Sequence, residues 1–262
     1  MVEYSWREEK GAVAATPGGV VISAFPSAGL ATTVAGHYMI RVLKLPRVGR
    51  FESPDLSPIA VVQGGEAHPA IRVYGRPGLD LVLSEFPPTP SQANAVAETI
   101  LATAERHKAR LIIGLEGVVP HPADEDESPE NGATEPPSEQ VWVAYSRKEP
   151  SVVTTFTQAK VRPLEEGLIG GVSGALLVRG IARSVPVAVL LVSARVEGLP
   201  DHRAGAALIE TLDRLLPELQ IDTGPLRHQA EQIERMLRAA MKVRGTPPSD
   251  TEAPPTSGTM YG

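Results

Sequence analysis

The 262-residue chain carries 25 Lys and Arg against 31 Asp and Glu, and this net charge of −6, with no dense basic patch, argues against nucleic acid as a main partner. Aromatic residues are only 4% of the chain, so a buried core has to be built from Val, Leu, Ile and Ala. There is no cysteine, which excludes disulfides and thiolate metal sites, and the longest apolar stretch, Val185 to Val192 with Pro186 inside it, is too short to cross a bilayer.

The opening MVEYSWREEKG is charged and has no apolar h-region, so no secretory signal is visible and a cytoplasmic location is expected. Gly19 to Phe25 reads as a buried strand, followed by Pro26-Ser27-Ala28-Gly29 and a helix from Leu30 to Leu43. Ile59–Val62 and Ile71–Tyr74 read as two strands around a Gly64-Gly65 turn, and Leu79–Ser84 as a third. Ser91 to Arg110 has helical periodicity, with Ala95, Ile100, Leu101 and Ala104 toward one face. Leu111–Leu115 and Val185–Ser193 are apolar enough to be buried on both sides. Gln140–Tyr145 and Ser151–Phe156 read as shorter strands, and His202–Leu216 as a helix. Strand–helix alternation predicts an α/β three-layer sandwich, with a mostly parallel central sheet, helices on both faces and some antiparallel pairing at one end.

A single domain is expected over residues 1–244, and three segments stand out, two within it and one after it. His121 to Glu139 holds seven acidic residues, four prolines and no Lys or Arg, and reads as a solvated acidic insertion. Pro225 suits the first turn of a helix whose stripe of Leu226, Ala230, Ile233, Leu237 and Ala240 can pack on its own domain or on other copies. The last 18 residues, 245–262, read as a flexible tail whose only large apolar side chains, Met260 and Tyr261, stand beside the terminal Gly262 carboxylate. A rigid ring, an adaptable thioether and a fixed negative charge together make a docking peptide.

Catalytic signals are sparse. The six histidines form no His-x-x-x-His or His-x-His pair, so no metal and no cofactor is expected. His37 reads as a structural histidine. Gly170-Gly171-Val172-Ser173-Gly174 is one spacer short of a nucleophile elbow, and no Lys-Ser/Thr follows to make a phosphate loop. Glu85 and Glu116 both follow apolar strands, where ligands of open α/β sheets bind, and an acid/base pair there is the alternative reading: a phosphorylase-like hydrolase or transferase acting on a small nucleoside or ester.

Ala24 to Leu30, Ala35-Gly36-His37-Tyr38, Pro69 to Tyr74, Ser84-Glu85-Phe86-Pro87, Leu115-Glu116-Gly117, Gly170 to Leu177, and Asp201, Ala206, Ala207 and Leu226 to Glu234 together resemble the proteasome assembly chaperone two family and its archaeal homologues. The resemblance covers about residues 15–240. It implies a nucleoside-phosphorylase-like fold without the activity. It also implies an ATP-independent, homo-oligomeric chaperone or proteasome-binding factor in an archaeal cytoplasm, whose partners are 20S proteasome α subunits or the α-ring. Met260, Tyr261 and Gly262 match the hydrophobic-tyrosine-any docking motif associated with that family. No catalytic residue, nucleic acid or membrane is implied.

Overall fold

The computed structural model describes residues 4–9, 17–119, 139–195 and 200–244. The tail at 245–262, with Met260, Tyr261 and Gly262, and all of the acidic segment except Glu139 lie outside the described residues.

In chain order the elements are β1 (Ser5–Glu8), β2 (Val20–Ala24), a single 3-10 turn (Ala28–Leu30), α1 (Ala31–Val42), β3 (Arg47–Glu52), β4 (Ala60–Gln63), β5 (Glu66–Pro69), β6 (Ile71–Arg76) and β7 (Leu79–Ser84). They continue with α2 (Pro90–Arg106), β8 (Leu111–Val118), β9 (Val141–Tyr145), α3 (Pro150–Gln158), β10 (Arg162–Pro163), α4 (Gly171–Gly180), β11 (Val187–Ser193), α5 (His202–Leu215) and α6 (Gly224–Arg244). Nine strands form one sheet in the order β1-β3-β6-β7-β2-β8-β11-β9-β10, and β4 and β5 form a separate hairpin.

The apolar strands occupy the centre. β7, β2, β8 and β11 run parallel, and their side chains are buried toward both faces. Val20, Ile22 and Ala24 face α1 and α5, whereas Val21 and Phe25 face α2 and α4. Helices therefore cover both faces, as expected.

The sheet is mixed rather than mostly parallel, since antiparallel pairs match parallel ones in number. Connection length is the cause. Only Pro77 and Gly78, the latter at φ 84, join β6 to β7, and such a link permits only an antiparallel return. β3, and β1 at the sheet edge, both carrying charged residues, extend the same antiparallel wing.

Two expectations need correction. Ser151–Phe156 is helical, not a strand. Pro150 opens α3, Val152 and Phe156 are buried one turn apart, and the hydroxyls of Thr154, Thr155 and Thr157 donate back to carbonyls four residues earlier. That satisfies hydroxyls that otherwise compete with the helix. The Gly64-Gly65 turn is real, but it joins β4 to β5, while Ile71–Arg76 crosses into the main sheet.

α2 begins with a capping box. Thr89 Oγ1 accepts from the Gln92 N–H at 3.4 Å, and Gln92 Oε1 accepts from the Thr89 N–H at 2.9 Å. Asp201 caps α5 by accepting from the Arg203 and Ala204 N–H groups. α6 begins where Pro225 places it, with Leu226 and Ala230 buried and Met236 71% exposed, and it packs on α5.

Candidate functional site

The carboxyl ends of β2, β7 and β8 lie side by side, because β2 pairs with both of the others. The turn after β2 is bolted to its surroundings. Ser27 Oγ accepts from the Gly117 N–H at 2.8 Å and lies 3.2 Å from Thr32 Oγ1, whose hydroxyl donates to the Phe25 carbonyl. Gly29 has φ 62, and its carbonyl accepts from the Asp201 N–H at 2.7 Å. A Cβ on Gly117 would stand 2.3 Å from the Ala28 carbonyl oxygen, so only glycine admits this approach. Three segments remote in sequence, around Ser27, Gly117 and Asp201, thus meet at one sheet end.

On the α1 face, Arg72 extends from β6 with its side chain fully buried. Its Nε donates to Tyr74 Oη at 3.0 Å, its Nη1 to the Pro69 carbonyl at 2.9 Å, and its Nη2 to Glu85. His37 Nε2 lies 3.0 Å from the same Glu85 oxygen. Burial alone would raise the Glu85 carboxyl, but the His37 hydrogen bond and the Arg72 charge outweigh it and hold the group below its usual range. The second carboxylate oxygen, Oε2, is buried without a hydrogen-bond partner among the described residues. The sequence reading found Glu85 but not Arg72. The signal was an arginine inside the apolar run Ile71-Arg72-Val73, where a buried cation requires an acidic partner.

On the opposite face, burial pushes the Glu116 carboxyl up to about 7, against a smaller lowering by its hydrogen bond to Ser173. Ser173 belongs to the first turn of α4 and is itself 5% exposed, so it is no accessible nucleophile. Its hydroxyl oxygen also lies 3.4 Å from the Leu115 carbonyl oxygen. The glycines before it start a helix packed on β8. Glu85 and Glu116, the acid/base pair of the alternative reading, engage different helices across the sheet. Asp201 and His202 build no triad either, since Asp201 caps α5 and the His202 ring bonds the Pro200 carbonyl at 2.9 Å. Among the described residues, no group of three or more His, Asp or Glu could hold a metal ion, and no helix is long and apolar enough to cross a membrane.

The family model described as "PAC2 family" matches residues 21–241. The chain belongs to the PAC2 family.

A PAC2 chain of this kind has relatives in archaea. An uncharacterised protein of Methanocaldococcus jannaschii, MJ0106, is 27% identical over 219 residues, 84% of each chain. The crystal structure of Pyrococcus furiosus PbaA, described as an archaeal homolog of proteasome-assembly chaperone, superposes with TM-score 0.75 at 22% identity over 92% of this chain and 93% of that one. PbaB of the same organism, described as an archaeal proteasome activator, gives 0.71 at 20% identity over 92% of this chain and 100% of that one. These structures share the mixed sheet and its helices with this PAC2 chain.

Proposed function

We propose that this PAC2 chain is an ATP-independent proteasome assembly chaperone or proteasome-binding factor that docks on the 20S α-ring through Met260, Tyr261 and Gly262. The observation that carries the reading is the coincidence of this tip with membership of the PAC2 family. The descriptions of PbaA and PbaB, a proteasome-assembly chaperone homolog and a proteasome activator, favour the same partner. The nucleoside-phosphorylase-like scaffold is then a platform rather than an enzyme. Glu85 is occupied by Arg72 and His37, and Glu116 stands on the other face, which supports that use.

The mechanism follows from the tail. As a coil its 18 residues span about 24 Å, enough for tips displayed by a cytoplasmic homo-oligomer to reach neighbouring pockets of a ring. Several weak tips then act by avidity. The test is capture of archaeal 20S proteasome, and separately of free α subunits, by the full chain and by a chain lacking Met260-Tyr261-Gly262. Capture lost on truncation is the expected result, and preference for free α subunits assigns assembly over activation. Equal capture by both chains overturns the docking tip, and capture by neither overturns the proteasome reading.

A further inference from the structure

A second polar site lies far along the sheet from the strand ends. A cavity of about 300 Å³ opens between the β9–β10 edge and helices α5 and α6. Its lining holds four cations, Lys160, Arg162, Arg214 and Arg227, against two carboxylates, Glu139 and Glu210, in a chain whose net charge is −6. Local charge opposite in sign to the whole chain focuses an anion into the cavity.

The carboxylates are already compensated. Arg227 donates from Nε and Nη2 to Glu210 at 2.6 and 2.7 Å, and from Nη1 to both oxygens of Glu139 at 3.2 Å. Arg203 reaches Glu139 at 3.5 Å, and the Thr223 hydroxyl donates to Glu210 at 2.8 Å. Arg227 holds the Glu210 carboxyl below its usual range.

The remaining cations make no ion pair with a carboxylate among the described residues. Lys160 and Arg162 are exposed at the rim, and their side chains have no hydrogen bond or ion pair among the described residues. Arg214 spends Nε on the Ala159 carbonyl at 3.1 Å and Nη2 on the Thr211 hydroxyl at 2.9 Å, both uncharged, and acts on Glu210 only through its charge. Trp142, half-buried on β9, supplies an apolar wall beside them.

We propose that this cavity is a binding site for a small polyanion bearing two or more phosphate or carboxylate groups, held by Lys160, Arg162 and Arg214. Its volume is at the small end for ligand sites, which suits a compact metabolite. The cations are solvent-accessible, so binding weakens as salt rises.

Calorimetric titration of the full chain at low salt with inorganic pyrophosphate, and separately with tricarballylate, tests the site. Saturable binding of one ion per chain is expected. Arg162→Ala and Lys160→Gly, the latter suited to the left-handed backbone at that position, each weaken it by about tenfold or more. Lys148→Ala, an exposed cation away from the cavity, leaves it unchanged. Binding of pyrophosphate alone assigns phosphates, and binding of tricarballylate alone assigns carboxylates; either supports the site. No saturable binding of either ion overturns it, as does binding that ignores both cavity variants. Capture of a polyglutamate peptide through Lys160 and Arg162 with neither small ion bound also overturns it, in favour of an acidic protein partner.

Discussion

Glu85 follows β7 and Glu116 lies within β8, the two strands that flank β2, yet their carboxyls stand on opposite faces of the sheet. Arg72 sits opposite Leu83 in the β6–β7 register and shares its face, so Glu85, bonded to Arg72 and to His37 of α1, belongs to the α1 side. Glu116 follows Leu115, which faces α1, and meets Ser173 of α4. Strand alternation separates the two groups, and it removes the shared acid/base geometry that their positions in sequence suggest.

Arg72 is the most consequential single charge in the fold. Arg72→Met leaves the Glu85 carboxylate with only His37 and strips Tyr74 and the Pro69 carbonyl of their donor. A loss of about 3 kcal/mol is expected in urea unfolding. Adding Glu85→Gln to that variant recovers part of the loss, because the uncompensated charge is gone. A double variant as unstable as the single one would place the cost in packing alone.

Glu116 sets a pH dependence. Its carboxyl titrates at about 7 folded against 4.5 unfolded, so between those values the folded chain binds the extra proton. Stability therefore falls as pH rises through that window, by about 3 kcal/mol in total. Glu116→Gln flattens this part of the pH–stability curve and is the more stable protein at alkaline pH. Chemical denaturation across pH reads both effects, and an unchanged slope in the variant would assign the dependence elsewhere.

Gly117 tests the closeness of the strand ends. In Gly117→Ala the new methyl meets the Ala28 carbonyl 2.3 Å away, and relief by movement breaks the Gly117 N–H bond to Ser27. The variant is expected to lose about 2 kcal/mol or more. Gly170→Ser, whose Cβ meets no atom within 4 Å, is neutral or slightly stabilising because it gives α4 the side-chain cap it lacks. Thermal unfolding of the two side by side gives the comparison.

Three helices end on a lysine in the left-handed region, a position that favours glycine. Lys44, Lys108 and Lys160 have φ of 50, 53 and 58, and the N–H after each reaches back to Ile40, Ala104 and Phe156. Lys44→Gly and Lys108→Gly are each expected to stabilise the fold by about 0.5–1 kcal/mol. A loss in denaturant midpoint instead would show that lysine charge at the helix carboxyl end outweighs backbone strain.

The central strands and most helices were legible because burial writes itself as periodicity. Val20–Ala24, Leu79–Ser84, Leu111–Leu115 and Val187–Ser193 are apolar runs of strand length, and Thr89, Asp201 and Pro225 stand at helix starts. β1 and β3 were missed because SWRE, at the sheet edge, and RVGRFE, beside it, alternate charge with bulk and resemble loops. α3 was misread because its Val and Thr residues favour strands until their hydroxyls find helical carbonyls. The Arg72–Glu85 bond depends on the β6–β7 register, and the meeting of Ser27, Gly117 and Asp201 depends on strand order. Neither can be counted off along a linear chain.

The placement of β2 has a consequence for how the protein is made. This strand lies at the heart of the sheet but near the start of the chain, and both of its neighbours, β7 and β8, are synthesised much later. Parallel pairing over such separations is slow, because chain entropy is lost before any contact repays it. During synthesis Val20–Ala24 therefore has no partner until Leu79–Ser84 has left the ribosome and only one until Leu111–Val118 follows, and in that interval the nascent chain is open to aggregation.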